Sequence, residues 1–212
     1  MQRSTSPGTR HQPRTTPAAR TARSAHKART HARILAVAAR AIRERGVEGV
    51  GIAQMMQAAD LTHGGFYAHF ASKAALLAEV AREGLAESRR EFLAAAAEAS
   101  PEAPLREIIR RYVSRQHRDN LAESCAMPAL AGEMAREPAE VRRAFTDGLE
   151  EFATGLATYI SGETEEARRD TALVLTAGMV GAVALARAVD DPALSDRLLL
   201  AARRFYTASM AE

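Results

Sequence analysis

The stretch of sequence that decides the fold is Leu61-Thr-His-Gly-Gly-Phe-Tyr-Ala-His-Phe-Ala-Ser-Lys73. Phe66 and Phe70 are four residues apart, which predicts a short helix over 62–70 with one ring above the other, both facing inward. Thr62 is the expected N-cap of this helix. Ser72 is the expected cap of a second helix that follows directly.

The outer side of the short helix is almost bare. It carries Gly64, Gly65 and Ala68, while Tyr67 and His69 project from its two flanks. A glycine costs a helix roughly 1 kcal/mol relative to alanine, so two glycines here indicate that something approaches the backbone closely. The major groove of DNA, ~12 Å wide, is such a partner, with the flanking side chains against the phosphates. A flexible surface turn is the alternative on these residues alone.

The motif Ala59-Asp-Leu-Thr-His-Gly-Gly-Phe-Tyr-Ala-His-Phe-Ala-Ser-Lys73 closely resembles the recognition-helix signature of the TetR family of bacterial transcriptional regulators. The resemblance is strong over residues 30–77 and extends to the later helices by length and pattern. It implies an all-α fold, in which an N-terminal three-helix helix-turn-helix unit is joined to a larger C-terminal helical bundle. We expect a disordered basic arm over 1–29, a DNA-binding domain over 30–77 and an effector-binding and dimerisation domain over 78–212.

The positive charge is concentrated at the front of the chain. Residues 1–43 contain ten of the 29 Arg and Lys residues and none of the 26 acids. This asymmetry favours an anionic partner, most commonly nucleic acid. Residues 1–29 show no apolar periodicity and cannot bury enough surface to offset their ordering entropy, hence the predicted disorder. No run of 18 apolar residues and no secretory signal is present, so we expect a cytoplasmic protein with no membrane partner.

Eight residues are the predicted contacts with an operator. The first helix is expected over 30–45, ending at Gly46, with Thr30 at its N-terminus against a phosphate. His63 is the expected base reader, and the two glycines allow the backbone to approach. The complete predicted set is Thr30, Thr62, His63, Gly64, Gly65, Tyr67, His69 and Lys73.

Two positions depart from the pattern of the resembled family. Gly51 stands where many relatives have a Ser or Thr that caps the second helix and touches phosphate. Asp60 stands at the tight turn where the family usually has glycine, although aspartate tolerates left-handed geometry better than most residues. These departures leave room for an alternative function, a helical small-molecule-binding or adaptor protein with weakened DNA binding.

Helices are expected after the recognition motif at about 72–96, 105–118, 128–136, 138–161, 163–188 and 193–210. In the resembled family the middle of this region binds a small effector. The candidate lining residues are Tyr112, Gln116, His117, Cys125, Phe145, Phe152 and Tyr159, a mixture that suits a mostly apolar ligand held by a few polar groups. The last two helices are expected to form a four-helix bundle with a second copy of the chain. Plain core packing and an intramolecular bundle are the alternatives.

The sequence offers no catalytic or metal-binding pattern. Cys125 is the single cysteine, which excludes an intramolecular disulfide framework and a multi-cysteine zinc site. The chain has no P-loop, no G-x-S-x-G and no metal-binding histidine pair on one helical face. His117 and Cys125 have no third ligand or base spaced with them. We therefore expect no enzyme activity, cofactor or metal, but a dimeric, ligand-responsive regulator, usually a repressor in this family, on a palindromic operator.

Overall fold

The computed structural model of the chain describes residues 17–94, 98 and 102–210, and within those ranges it contains helices and no strand. The all-α prediction is confirmed. The elements are α1 (Pro17–Arg45), α2 (Ile52–Ala58), α3 (His63–Ala68), α4 (Lys73–Arg89), α5 (Pro104–Tyr112), α6 (Arg115–Asp119), α7 (Met127–Met134), α8 (Ala139–Ala157), α9 (Glu165–Ala188) and α10 (Pro192–Ser209). α3 is a 3-10 helix, and α4 continues into a π-helical segment, Arg90–Ala94.

The first helix is longer than predicted. α1 begins at Pro17, so residues 17–29 of the expected disordered arm are helical, and residues 1–16 lie outside the described residues. No glycine or second proline follows before Gly46, and the segment is rich in alanine and arginine, which are strong helix formers. Proline itself suits a first helical turn, because its fixed φ is already helical and its missing N–H would be unpaired there.

The N-terminal unit packs around the inner face of α1. Its core includes Ile34, Ala38 and Ile42, which are buried together with residues of α2 and α3. Gly46 ends α1 with a φ of +76°, which confirms the predicted left-handed stop. Asp60 takes a φ of +53°, so aspartate does adopt the left-handed conformation of the tight turn.

Two predicted helices are interrupted. The helix expected over 72–96 is α-helical only to Arg89 before its π-helical turn. The helix expected over 105–118 is broken between α5 and α6, where Ser114 begins a new helix by accepting a hydrogen bond from the His117 amide at 3.1 Å. Serine caps compete with helix continuation, because the hydroxyl satisfies an amide that the new helix leaves free.

The helices of the C-terminal part form one packed bundle. α4 lies against α8, where Gly148 and Gly155 bring the α8 backbone close to Leu85 and Leu93. α9 packs between α8 and α10. By length and composition alone α9 could cross a membrane. Core helices of globular proteins share that composition, and the inner face of α9 is buried against its neighbours.

Candidate nucleic-acid interface

The turn from α2 into α3 fixes where the recognition helix lies. The Leu61 amide donates to the Met56 carbonyl at 2.9 Å, across the left-handed residue Asp60. Phe66 and Phe70 are buried as predicted, and their stacked rings lie 5.6 Å apart between centroids. These two rings anchor α3 from beneath, which leaves its other side to solvent.

The outer face of α3 is open. His63 and Gly64 are exposed, and Tyr67 is 62% exposed. A Cβ atom at Gly64 would have no neighbour within 4 Å, whereas one at Gly65 would make ordinary contacts of 3.6 Å with Met56 and Thr62. Bare backbone thus reaches the surface at Gly64, flanked by an imidazole and a phenol that can donate hydrogen bonds.

Of two predicted roles at helix N-termini, one is confirmed in position only and the other is wrong. Thr62 is the N-cap residue of α3 as predicted, but its side chain accepts no capping hydrogen bond. Thr30 lies inside α1, thirteen residues after its first residue, so it has no free helix-terminal amides to offer a phosphate. The predicted cap at Ser72 is confirmed, because its hydroxyl accepts from the Ala75 amide at 2.9 Å.

His69 faces α1 as well as solvent. Its ring lies 6.1 Å from that of His31, and its Nδ1 is buried without a hydrogen-bond partner among the described residues. Burial, followed by the nearby His31, lowers the pKa of His69, so at neutral pH it is an uncharged imidazole. It therefore offers a phosphate a neutral hydrogen bond and no positive charge.

His31 is a contact that the sequence did not reveal. Its ring stacks on Phe70 at 4.3 Å between centroids, and its Nε2 lies 2.6 Å from Oε1 of Glu79 on α4. One side chain of α1 thus joins the end of the recognition motif to α4. The sequence does show a histidine three residues before the apolar stripe of α1. Its partners, Phe70 and Glu79, are about forty residues or more away, so the contact could not be predicted from local spacing.

Lys73 already makes one hydrogen bond within the protein. Its ammonium donates to the Val47 carbonyl at 3.0 Å, which ties the start of α4 to the loop after α1. An ammonium has three donors, so hydrogen bonds to a phosphate remain possible. The same loop is held from the other side by Glu133, whose Oε2 accepts from the Val47 amide at 2.7 Å.

Four of the seven effector candidates form a closed core cluster. Tyr112, His117, Cys125 and Phe152 are buried, and the Tyr112 hydroxyl donates to the Cys125 sulfur at 3.3 Å. His117 donates through Nδ1 to the Tyr112 carbonyl at 2.6 Å and accepts from the Cys125 amide through Nε2 at 3.2 Å. Both ring nitrogens are used by one neutral tautomer, and burial lowers the pKa of His117 to about 4.

A cavity of about 310 Å³ lies beside this cluster, and only Gln116 and His117 of the predicted set line it. Most of its lining is polar or charged rather than apolar: Glu91, Phe92, Arg110, Arg111, Ser114, Gln116, His117, Asn120, Glu123 and Ser124. Tyr159 lines a separate cavity of about 240 Å³ near the C-terminal end of α10. Phe145 is half-buried against the core.

Hydrogen bonds hold the wall of this cavity in place. Glu107 binds Arg110 and Arg111 at 2.6 and 2.7 Å, and these bonds, Arg110 first, lower the pKa of Glu107 to about 2. Arg187 donates to the His117 carbonyl at 2.7 Å and to the Ser124 hydroxyl at 2.9 Å. No group of three or more His, Cys, Asp or Glu among the described residues is placed to hold a metal ion.

The wall of the cavity is also joined to the N-terminal unit. Arg43 of α1 donates to the Ala122 carbonyl at 2.8 Å and lies 3.3 Å from Glu87 of α4. Ala122 directly precedes Glu123 and Ser124, which line the cavity. This segment is therefore in direct contact with α1, the helix that supports the recognition motif.

Comparison with known proteins gives a family match for the N-terminal part of the chain. Residues 34–80 match the family model described as bacterial regulatory proteins of the tetR family. This match runs from the buried stripe of α1 through α2 and α3 into α4. No curated protein gives a significant sequence match to the chain.

Solved structures show the same fold over nearly their whole length. The reduced form of NemR from E. coli has a TM-score of 0.69 at 19% identity, covering 86% of this chain and 98% of that one. A TetR-family transcriptional regulator from Agrobacterium tumefaciens has a TM-score of 0.65 at 20% identity, covering 88% and 100%. One from Streptomyces coelicolor has a TM-score of 0.64 at 24% identity, covering 87% and 97%.

Proposed function

We propose that the chain is a TetR-family transcriptional regulator that binds DNA, and that it acts in the cytoplasm as a homodimeric, ligand-responsive repressor of a palindromic operator. The single observation that carries the DNA-reading part is the open face of α3. Gly64 has empty space where a side chain would be, and buried Phe66 and Phe70 hold the helix from behind. A rigid helix with a bare, exposed face suits insertion into a major groove.

The contacts divide into base reading and phosphate binding. His63, exposed at the start of α3, reads base edges, while Gly64 and Gly65 let the backbone approach. Tyr67 and Lys73 donate to phosphates on the two sides of the groove. Two copies of α3 occupy successive major grooves ~34–36 Å apart, which requires a dimer with two-fold symmetry.

The apolar surface of α9 and α10 supports the homodimer. Val174 is 71% exposed and Leu185 is 57% exposed, and a spacing of eleven residues places both on one face of α9. Gly181 lies between them, and among the described residues an added Cβ would meet nothing within 4 Å beyond the adjoining turns of its own helix. Phe205 of α10 is 66% exposed. Large apolar side chains at this exposure are suited to an isologous interface with a second copy.

The cavity beside His117 is the proposed effector site. Its arginine and glutamate side chains suit a ligand with polar or charged groups, rather than the mostly apolar ligand that the aromatic residues suggested. The ligand acts on DNA binding through the segment that starts at Ala122, which Arg43 binds. A coupling of ~1–3 kcal/mol between the two sites is typical of such regulators.

The primary experiment is selection of binding sites by the purified full-length chain from a pool of random duplexes. We expect enrichment of an inverted repeat with half-site centres ~10–10.5 bp apart or a multiple of that, bound by two chains. The affinity should fall steeply with salt, because bound phosphates release counterions. Failure to enrich any duplex, together with retained ligand binding, would instead support the helical ligand-binding or adaptor protein.

The ligand response has its own test. Candidate metabolites carrying carboxylate, phosphate or amine groups are titrated calorimetrically into the chain, with and without the selected operator. Thermodynamic reciprocity requires that a ligand which releases DNA binds more weakly when operator is present, by the same factor. Equal ligand affinities with and without operator would show that binding in the cavity does not control DNA binding.

A further inference from the structure

The N-terminal turns of α1 form a basic, exposed helical segment. The side chains of residues 21–29 are exposed. Arg23, Lys27 and Arg29 lie in this segment, and none of them forms an ion pair or hydrogen bond with another described residue. Its remaining side chains are small or polar, so the surface is positive and has no apolar anchor.

Helical spacing places part of these basic side chains on one face of α1. Arg23, Lys27 and His31 follow one another at intervals of four residues, so they share one face of α1. The same row continues through Ile34 and Ala38, which are buried in the core of the N-terminal unit. The face of α1 that is apolar within the domain therefore becomes basic beyond it.

Contacts with the recognition motif show which side of the domain this basic face occupies. His31 stacks on Phe70 and lies 6.1 Å from His69, at the end of the recognition motif. One turn earlier, Lys27 is close enough to His69 that its charge, after burial and the nearby His31, helps to lower the pKa of that residue. The basic face thus extends past the domain on the side of α3.

We infer that the basic face formed by Arg23 and Lys27, the arm face, is a second DNA-binding element that binds backbone phosphates flanking the groove read by α3. The inference rests on the proposed function and adds a contact outside the helix-turn-helix. Residues 17–29 form a helix ~20 Å long at 1.5 Å per residue, comparable to about six base pairs of duplex.

Two features favour DNA over other anionic partners. A membrane-surface helix needs large apolar side chains opposite its charges, and residues 21–29 contain none larger than alanine among their apolar residues. A protein interface normally includes a buried apolar or aromatic core, which this segment also lacks. Arg23 and Lys27 repel each other at a spacing of four residues, and a phosphate between them removes that repulsion.

The test compares two double variants of the full-length chain on the selected operator. R23A/K27A removes two charges from the arm face. R29A/R33A is the matched control, because it removes two charges from a different face of the same helix. Alanine is a strong helix former, so both variants should retain the circular dichroism of the wild type.

Operator affinity is measured by fluorescence anisotropy over a range of salt concentrations. If each dimer loses four phosphate contacts, the slope of log Kd against log salt falls by ~3.6 in R23A/K27A, and the affinity at ~0.1 M salt falls at least about tenfold. The control should keep the wild-type slope to within about one. Equal losses in the two variants would show a general charge effect and overturn the inference, as would no loss in either.

Duplex length gives a second, independent readout. Removing the base pairs that flank the two half-sites should weaken the wild type and leave R23A/K27A unchanged, since the variant no longer uses them. A wild type that is indifferent to the flanks would also overturn the inference, while its specific binding would leave the proposed function standing. A wild type that binds no duplex at all would fail the proposed function itself.

Discussion

Replacing Gly64 with leucine should weaken DNA binding without lowering the stability of the folded protein. Gly64 is exposed, its φ is not in the left-handed region, and an added Cβ would meet nothing within 4 Å. The folded chain therefore accommodates the side chain without strain. Removing a glycine also lowers the entropy of the unfolded chain, so the free energy of unfolding should stay level or rise by ~0.4–1 kcal/mol.

The same substitution should damage the complex with DNA. The leucine side chain would project from the open face of α3 into the space where base edges lie, and it would separate His63 from the groove. Losing one base-reading contact costs ~1–3 kcal/mol, and a symmetric dimer loses it twice, so the total is ~2–6 kcal/mol. At 1.4 kcal/mol per factor of ten, we expect operator affinity to fall by about thirtyfold or more.

On the same preparation, urea denaturation measures the free energy of unfolding and fluorescence anisotropy measures the affinity for operator DNA. The matched control is Gly132→Leu, because Gly132 is also an exposed glycine with no atom within 4 Å of an added Cβ, but it lies in α7. The control should bind operator like the wild type. Wild-type operator affinity in Gly64→Leu would refute the close approach of α3 to DNA, and an unfolded variant would refute the open space at Gly64.

Three further predictions test the dimer, the core and the coupling. Gly181→Leu should give a folded monomer by light scattering, whereas Gly178→Leu should lower the free energy of unfolding by ~1–3 kcal/mol, because its side chain would displace the Tyr206 hydroxyl that packs against this glycine. The unfolded chain binds a proton at His117 below pH 6.5 and the folded chain only below about 4, so stability should be lost as pH falls between these values; in urea titrations this loss should be about 3 kcal/mol smaller in His117→Asn. Arg43→Ala should bring the ligand affinities with and without operator together in calorimetry.

The recognition motif could be predicted from the sequence because its signals are local. Phe66 and Phe70 are one helical turn apart, and Ser72 caps the helix that begins at the next residue. Gly46 and Asp60 take left-handed conformations that few other residues adopt readily. Each of these features depends on neighbours within four residues, so a single sequence contains the necessary information.

The predictions were wrong where the structure depends on contacts between separate elements, or on the lack of a residue that would stop a helix. Thr30 was expected at a helix start because the segment before it looked polar, but no residue there stops a helix until Pro17. His117 and Cys125 are eight residues apart, a spacing that does not by itself predict a contact. The new helix that begins after Ser114 nevertheless places them within hydrogen-bond distance. The charged wall of the cavity is likewise assembled from separate elements: Glu91 follows α4, Arg110 and Arg111 lie on α5, and Glu123 follows α6.

The position of α1 connects these parts into one mechanism. Near its C-terminal end, Arg43 binds the Ala122 carbonyl beside the cavity, and the loop that follows is held by Glu133 through the Val47 amide. Toward its other end, His31 binds Glu79 and stacks on the recognition motif, before the helix continues into the arm face. α1 has 29 residues and is therefore ~43 Å long, so a tilt of about 5° imposed at one end moves the other by roughly 3–4 Å. If the proposed dimer and effector site exist, a ligand that displaces the Ala122 segment would move the arm face and α3 together relative to the same elements of the second copy, which is enough to place both proposed DNA contacts out of register.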